Sequence, residues 1–305
     1  MKRTLHQLGE DALISRLVGL LPRDPDLLAG PGDDCAVIDQ GKGRPLQLLK
    51  TDAMVEHVHF LATASPRKIG WKAIARVTSD FAAMGGVPDR FLVTIALPSD
   101  WPVAFVESLY RGMADCLKVF GGVLAGGETT RVPKGSAAVV SIAATGLVER
   151  KHLVLRSGGK PGDLILVTGR LGGSITGKHL RFTPRQAESQ WLVSHAKPSA
   201  MMDLSDGLAK DLPRLAKSSH CGFQLDSNRI PKTRGCTLDQ ALGDGEDFEL
   251  LLTLAPKKWP ALSEKWNAEF PKLPLTVVGQ LTEGTDKQAT LTGGWDPFRV
   301  RGSSL

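Results

Sequence analysis

Acidic side chains set within apolar stretches constrain this chain more than any other feature of its sequence. In MMDLSDGLAK, residues 201–210, Asp203 and Asp206 stand among apolar residues that favour a buried helix. An ionised carboxylate that is buried without a partner is costly, and it would normally bind a proton instead. The fold must therefore bring these two carboxylates either to a cation or to water.

Similar acids recur along the chain. Most of them lie beside glycine or at the end of an apolar run, where a side chain can emerge from a packed scaffold into a cleft. The stretches are GPGDDCAV with Asp33 and Asp34, LLKTDAMVEHVHF with Thr51 and Asp52, VTSDFAAMGG with Asp80, LAGGETTR with Glu128, and GDGEDFEL with Glu246 and Asp247. Taken singly, each acid is more often a helix cap or a turn residue. Taken together, carboxylates and nearby hydroxyls form the ligand set of Mg²⁺, and they predict a shared metal and phosphate site.

The spacing of apolar residues predicts alternating strands and helices in two halves. In the first half, one long helix begins at Ser65-Pro66 and ends at Gly85-Gly86, and a second begins at Pro102 and ends at Gly121-Gly122. Glycine-rich SGGKPGD then precedes a renewed alternation of strands and helices, including a helix over 204–217. We expect two domains, 1–150 and 151–305. The first would contain a mixed sheet with helices and the second an α/β sandwich, so the fold class is α+β and α/β.

Composition excludes several other classes of protein. The net charge is +6, but Lys and Arg form no block, so a nucleic-acid partner is not favoured. No stretch approaches the roughly 20 apolar residues that span a bilayer, so we expect no membrane association. The four cysteines form no Cys-x-x-Cys pair, which indicates reduced thiols and a cytoplasmic protein.

Three motifs suggest chemistry that their surroundings do not support. Gly172, Gly177 and Lys178 match a phosphate-binding P-loop, but His179 occupies the position whose hydroxyl should hold magnesium, so we predict a glycine-rich turn. His57 and His59 would share one face of a strand as zinc ligands do, but no third ligand lies nearby. Ser205 lacks the flanking glycines of a nucleophile elbow.

Seven motifs together resemble one family. They are GPGDDCAVI, KTDAMVEHVHF, SDFAAMGG, GGETTR, LRSGGKPGD, MDLSDGLAKDL and GDGEDFELL. Their order and approximate spacing resemble those of the thiamine-monophosphate kinases, members of the aminoimidazole-ribonucleotide synthetase superfamily, over nearly the whole chain. The resemblance implies the two-domain fold of that superfamily, a homodimer through the first domain, and ATP-dependent phosphorylation of thiamine monophosphate to thiamine diphosphate. It also implies direct in-line transfer assisted by several Mg²⁺ ions.

The resemblance also assigns roles to residues. Metal-ligand positions are matched by Asp34, Lys50, Thr51, Asp52, Asp80, Glu128, Asp203 and Asp206, with Asp33 beside them. ATP contacts are matched by Gly127, Glu128, Arg156, Ser205 and Tyr110, and substrate contacts by His59, Glu246 and Trp295. Of these, Asp80, Asp206 and Arg156 are expected to act in catalysis.

Two positions depart from the family pattern. Glu128 replaces the usual Asp and is one methylene longer, so under the strict octahedral geometry of Mg²⁺ its backbone must retreat or its carboxylate must bind through water. Lys50 stands where a small residue is common, and its ammonium could replace some of the metal charge. These departures keep a weakly catalytic nucleotide-binding relative open as an alternative. A second alternative is another ATP-dependent synthetase of the superfamily, which makes aminoimidazole ribonucleotide or selenophosphate. Residues 1–30, however, lack the reactive Cys of selenophosphate synthetases.

Overall fold

Two β-sheets with helices packed on them form the protein. The computed structural model describes residues 4–22, 24–284, 291 and 293–299. The strands are β1 (Leu27–Ala29), β2 (Ala36–Ile38), β3 (Leu46–Val55), β4 (Val87–Pro98), β5 (Val123–Val132), β6 (Val139–Val148), β7 (Leu164–Thr168), β8 (Ala200–Asp203), β9 (Gly222–Leu225), β10 (Leu250–Leu254) and β11 (Leu275–Thr282). The α-helices are α1 (Leu5–Leu8), α2 (Glu10–Val18), α3 (Pro66–Ala83), α4 (Val103–Phe120), α5 (Gln186–His195), α6 (Leu208–Ser218), α7 (Leu238–Gly243) and α8 (Trp259–Glu269).

The first sheet has six strands in the order β1-β2-β3-β6-β4-β5. Its strand pairs are antiparallel except β4 with β5, which makes the sheet mixed, as the sequence predicts. Helix α3 packs against one face and is buried along most of its length from Ile69 to Ala83. Helices α3 and α4 cross at two glycines, since a Cβ on Gly70 would stand 1.8 Å from the carbonyl oxygen of Leu109 and one on Gly112 would stand 1.8 Å from that of Arg67.

The second sheet has five antiparallel strands in the order β8-β10-β7-β11-β9. One core contains buried residues of α6 and α7, represented by Leu212 and Ala241. A second core contains those of α5 and α8, represented by Leu192 and Trp266. Side chains of this sheet alternate between the two cores, so helices cover both faces and the half is an α/β sandwich, in agreement with the predicted class.

The predicted elements differ from the observed ones in three places. The stretch from 201 is buried as expected, but it begins as strand β8, and the helix over 204–217 starts only at Leu208. Residues 57–59 form a turn after β3, so the prediction that His57 and His59 share a strand face is wrong. Strands β1, β5 and β9 and helices α1, α7 and α8 are not among the predicted elements. None of the helices in the described residues is long and apolar enough to span a membrane.

Candidate active site

Three carboxylates converge where the two sheets meet. Asp34 follows β1, Asp80 lies in the last turn of α3, and Asp203 ends β8. One carboxylate oxygen from each lies within 4.8 Å of the others, and all three residues are buried. Ser79 Oγ donates a 2.6 Å hydrogen bond to Asp203 Oδ2 and so joins α3 directly to the second sheet. The prediction that acids from distant motifs meet at one place is realised by these three residues.

Basic side chains lie among these acids. Lys50 Nζ donates to Asp80 Oδ1 at 2.7 Å, and Arg156 Nη2 donates to Asp34 Oδ1 at 2.6 Å. Burial alone would lower the pKa of Lys50, but Asp80 and then Asp52 raise it overall, so the ammonium stays charged. The cluster therefore contains its own counter-charges, which neutralise part of the repulsion between its carboxylates.

Burial and crowding still disfavour the ionised acids. Burial raises the pKa of Asp203 to about 6, and the neighbouring Asp34 adds to the effect. Burial, followed by Asp34, likewise raises the pKa of Asp33 to about 6. For Asp80, burial raises the pKa well above its usual value although Lys50 opposes the shift. Protons or a further cation must supply the remaining positive charge.

The three acids suit one hard divalent cation. Asp34 Oδ2 is buried and makes no hydrogen bond within the described residues, although its partner oxygen is bound by Arg156. A buried carboxylate oxygen without a partner is unfavourable, and a cation between the three residues would satisfy it. Since carboxylate oxygens are the preferred ligands of Mg²⁺, Asp34, Asp80 and Asp203 are the residues that could hold it.

A cavity of about 390 Å³ is connected to the carboxylates through Arg76 and Asp52, which line it and whose charges act on Asp80. Among the residues that line it are all three predicted substrate contacts, His59, Glu246 and Trp295, together with Asp52 and Asp206. Burial and then the Arg76 cation lower the pKa of His59 to about 4, so its imidazole is neutral at pH 7. This cavity offers an aromatic ring, a neutral imidazole and carboxylates to a small ligand.

A fully buried lysine, Lys72, binds the carboxylate of Glu246. Lys72 Nζ donates to Glu246 Oε2 at 2.6 Å and to the carbonyl oxygen of His59 at 2.7 Å, and it lies 2.9 Å from His179 Nδ1. Burial alone would raise the pKa of Glu246, but His179 and Lys72 lower it to about 2. The cavity therefore presents an ionised carboxylate at neutral pH.

Asp206 lies on the cavity side and outside the group of three acids. Its Oδ2 accepts from Arg214 at 2.6 Å and lies 3.2 Å from Lys210. Its carbonyl oxygen accepts from the backbone N–H of Trp295, and the carbonyl oxygen of Ser205 accepts from that of Glu246. The SDG turn thus positions two predicted substrate contacts through its backbone.

Four predicted residues do not join the carboxylates within one chain. Gly127 and Glu128 lie on β5, the edge strand of the first sheet. Gly127 is separated from Asp52 by three strand spacings, or about 14 Å, because Asp52 pairs with Ile142, Ile142 with Val93, and Val93 with Gly127. Thr51 is exposed and lies at the lining of the cavity, but it is outside the group of three acids. Tyr110 lines a separate apolar groove on α4.

The glycine-rich segment is not shaped for a phosphate. The backbone N–H groups of Gly172 and Gly173 donate to the carboxylates of Asp247 and Asp244, and Ser174 Oγ also donates to Asp247. Donors that already bind acids inside the chain are not available to an anion. The predicted turn is observed as two short 3-10 helices, Ser174–Thr176 and Lys178–Leu180.

Three residues of the site, Lys72, Arg76 and His179, are not among the predicted ones. One signal was available, because Lys72, Arg76 and Asp80 are spaced by four residues and so share one face of α3 with the buried apolar residues. Charged residues on the apolar face of a helix indicate buried partners. Nothing local to His179 indicated its contact with Glu246, which is 67 residues away.

Known proteins resemble the chain over most of its length. Residues 32–148 match the family described as AIR synthase related protein, N-terminal domain. The thiamine-monophosphate kinase of Bacillus subtilis is 34% identical over 86% of this chain and 88% of its own, and that of Escherichia coli K12 is 33% identical over 90% of each. A solved structure described as AaThiL complexed with AMPPCP and TMP has a TM-score of 0.83 at 29% identity, covering 97% of this chain and 99% of that one. The chain belongs to the thiamine-monophosphate kinase family.

Proposed function

We propose that the protein transfers the γ-phosphate of ATP to thiamine monophosphate and so forms thiamine diphosphate. The observation that supports this most is that Arg76 and Asp52, whose charges act on the buried acids, line the same cavity as the three predicted substrate contacts. Together, the acids and the cavity provide a binding site for a phosphate-bound cation and, next to it, a binding site for a small organic group. Relatives that carry the thiamine-monophosphate kinase name, and one solved with AMPPCP and TMP, support the same substrates.

The acceptor needs no general base in this scheme. The phosphate of thiamine monophosphate is largely ionised at pH 7, because the second pKa of a phosphomonoester is about 6. Positioning and charge neutralisation then account for the catalysis, with donor and acceptor phosphates in line. Mg²⁺ bound by Asp34, Asp80 and Asp203 would supply Lewis-acid neutralisation of phosphate charge.

The chain's own residues would orient the two substrates. Glu246 faces the cavity as an anion and complements the positive thiazolium ring of thiamine monophosphate, while Trp295 offers an aromatic face to it. Arg156 lies against Asp34 and offers a guanidinium that could bind the triphosphate. Asp206, held by Lys210 and Arg214, would approach the phosphates from the cavity side and complete their cation binding.

A homodimer forms part of this proposal. Within the described part of the chain, strand β5 pairs with β4 alone, and its residues 123–131, including Val123 and Leu124, are all exposed. An exposed apolar edge strand is a surface that proteins commonly cover. A second copy would cover it and could bring Gly127, Glu128 and Tyr110 toward the ATP site, and solution mass measured by light scattering would test this. We assign ATP binding and dimerisation to residues 1–150 and completion of the site to residues 151–305, and we place the protein in the cytoplasm, where its four free cysteines would stay reduced.

Product formation tests the function directly. The protein is incubated with ATP, Mg²⁺ and thiamine monophosphate, and thiamine diphosphate is measured by chromatography. We expect product from the wild type and from Asp100→Asn, a control on an exposed acid, and none from Asp203→Asn. ATP binding without any thiamine diphosphate would refute the kinase and favour the nucleotide-binding alternative. Turnover of a different acceptor would favour another synthetase of the superfamily.

A further inference from the structure

Two ion pairs cross between β3 and α3 beside the three acids. Lys50 on β3 binds Asp80 on α3, and Arg76 on α3 binds Asp52 on β3. The Arg76 contacts are a 3.0 Å hydrogen bond from Nη2 to Oδ1 and a 2.9 Å approach of Nε to Oδ2 that lacks hydrogen-bond alignment. Each element thus supplies one cation and one acid, at the same place.

Sequence spacing explains why the pairs meet. Lys50 and Asp52 are two residues apart on a strand, so both face α3, and Arg76 and Asp80 are one helical turn apart, so both face β3. All four side chains are largely shielded from water, with exposed fractions between 9% and 22%. Shielded charges at these distances interact strongly, so the pairs are a fixed part of the site.

The formal charges of the cluster balance with one divalent ion. Five carboxylates gather there, Asp33, Asp34, Asp52, Asp80 and Asp203, against the three cations Lys50, Arg76 and Arg156. If every acid is ionised, as metal binding requires, the net charge is −2. Without Lys50 and Arg76 it would be −4, which calls for two divalent ions.

We propose that Lys50 and Arg76 take the place of one divalent cation in this chain. The nucleotide-free protein then binds a single ion, at Asp34, Asp80 and Asp203, where Asp34 Oδ2 has no hydrogen-bond partner among the residues that the structure describes. A second cation site would lie between Asp52 and Asp80, and the ion pairs of these acids with Arg76 and Lys50 occupy it. The inference builds on the proposed role of these acids in holding Mg²⁺, but it concerns how many ions they bind without nucleotide.

Ion counting with Mn²⁺ tests this proposal, because Mn²⁺ accepts the same oxygen ligands as Mg²⁺ and is visible by electron paramagnetic resonance. Nucleotide-free protein is titrated and bound ions per chain are counted. We expect one ion for the wild type and two for the double variant Lys50→Met/Arg76→Met. Lys134→Met, which removes an exposed lysine paired with Asp100, is the matched control and should bind one ion. A wild-type count other than one, or an unchanged count in the double variant, overturns the proposal.

The single variant Lys50→Met guards against misfolding of the double variant. It keeps the pair between Arg76 and Asp52 while freeing Asp80, so a second Mn²⁺ should bind at least about tenfold more tightly than any second ion of the wild type, a change of about 1.4 kcal/mol. Equal affinity would refute the proposal. Because neither titration uses ATP or thiamine monophosphate, an inactive protein that binds one ion would overturn the kinase function and leave this inference standing.

Discussion

Lys72→Met is the most direct test of how the cavity is supported. Lys72 is completely buried and donates to Glu246 Oε2 at 2.6 Å and to the carbonyl oxygen of His59 at 2.7 Å. Methionine has similar length and volume, so the substitution removes the charge and the donors without leaving a large cavity. Glu246 then loses its closest cation and remains against His179 with most of its surface buried.

The expected loss of stability follows from this geometry. Removing one member of a buried ion pair costs about 3–5 kcal/mol, because the remaining charge is left uncompensated. The entropy of unfolding near the midpoint is about 2 cal/mol/K per residue, which gives roughly 0.6 kcal/mol/K for the 305-residue chain. A loss of about 4 kcal/mol would therefore lower Tm by about 6 °C.

A double-mutant cycle separates the charge effect from the loss of packing. Unfolding in urea at pH 7 is measured for Lys72→Met, Glu246→Gln and the double variant. Because the double variant leaves neither charge of the pair alone, its loss of unfolding free energy should be smaller than the sum of the two single losses by at least about 1 kcal/mol. Lys134→Met, whose partner Asp100 is half exposed, should change stability by less than about 1 kcal/mol. A loss below about 1 kcal/mol for Lys72→Met, or strict additivity in the cycle, would refute the reasoning.

Three further predictions concern the acids. Folding raises the pKa of Asp203 from 3.8 to about 6, so between pH 3.8 and about 6 the metal-free folded protein keeps a proton that the unfolded chain has lost. In EDTA, the contribution of Asp203 to the free energy of unfolding should therefore fall by about 3 kcal/mol as the pH rises through this range. Saturating Mg²⁺ or Asp203→Asn should remove that component, and identical urea profiles with and without Mg²⁺ would contradict the prediction. Asp80→Asn should abolish product formation while circular dichroism stays unchanged, and near-normal turnover in saturating Mg²⁺ would count against its role. Glu128→Asp should lower the Mg²⁺ concentration that gives half-maximal turnover, and an unchanged titration would exclude the longer side chain as a handicap.

Elements with strong end signals and clear periodicity could be predicted from the sequence. The sequence predicts helix α3 between Ser65-Pro66 and Gly85-Gly86, and the structure has it at Pro66–Ala83, because both its ends and its apolar face are encoded locally. Strand β5 was missed because its residues are exposed on both faces and show no alternation. Strand β8 was missed because a short run buried on both faces has no period that separates it from a helix.

The acids of the site were also predictable, but which cations pair with them was not. Asp34, Asp80 and Asp203 stand out as carboxylates in apolar surroundings. Apart from Lys210 and Arg214, which lie close to Asp206 in the sequence, the cations come from farther away, from 24 residues for Arg76 and Asp52 to 174 for Lys72 and Glu246. Such pairs depend on how elements pack in space, and no local pattern records that packing.

The link from Ser79 to Asp203 has a further consequence, since two of the three acids come from elements of the first sheet and its helix α3 and the third comes from the second sheet. A cation shared by them would act as a cross-link between the halves, and by mass action a free concentration of one hundred times Kd would add about 2.7 kcal/mol to the folded state. Chelation would then loosen the seam along α3 and β8 first. Amide hydrogen exchange should rise there while the interior of each sheet stays protected, so the protein's rigidity would follow the supply of divalent metal.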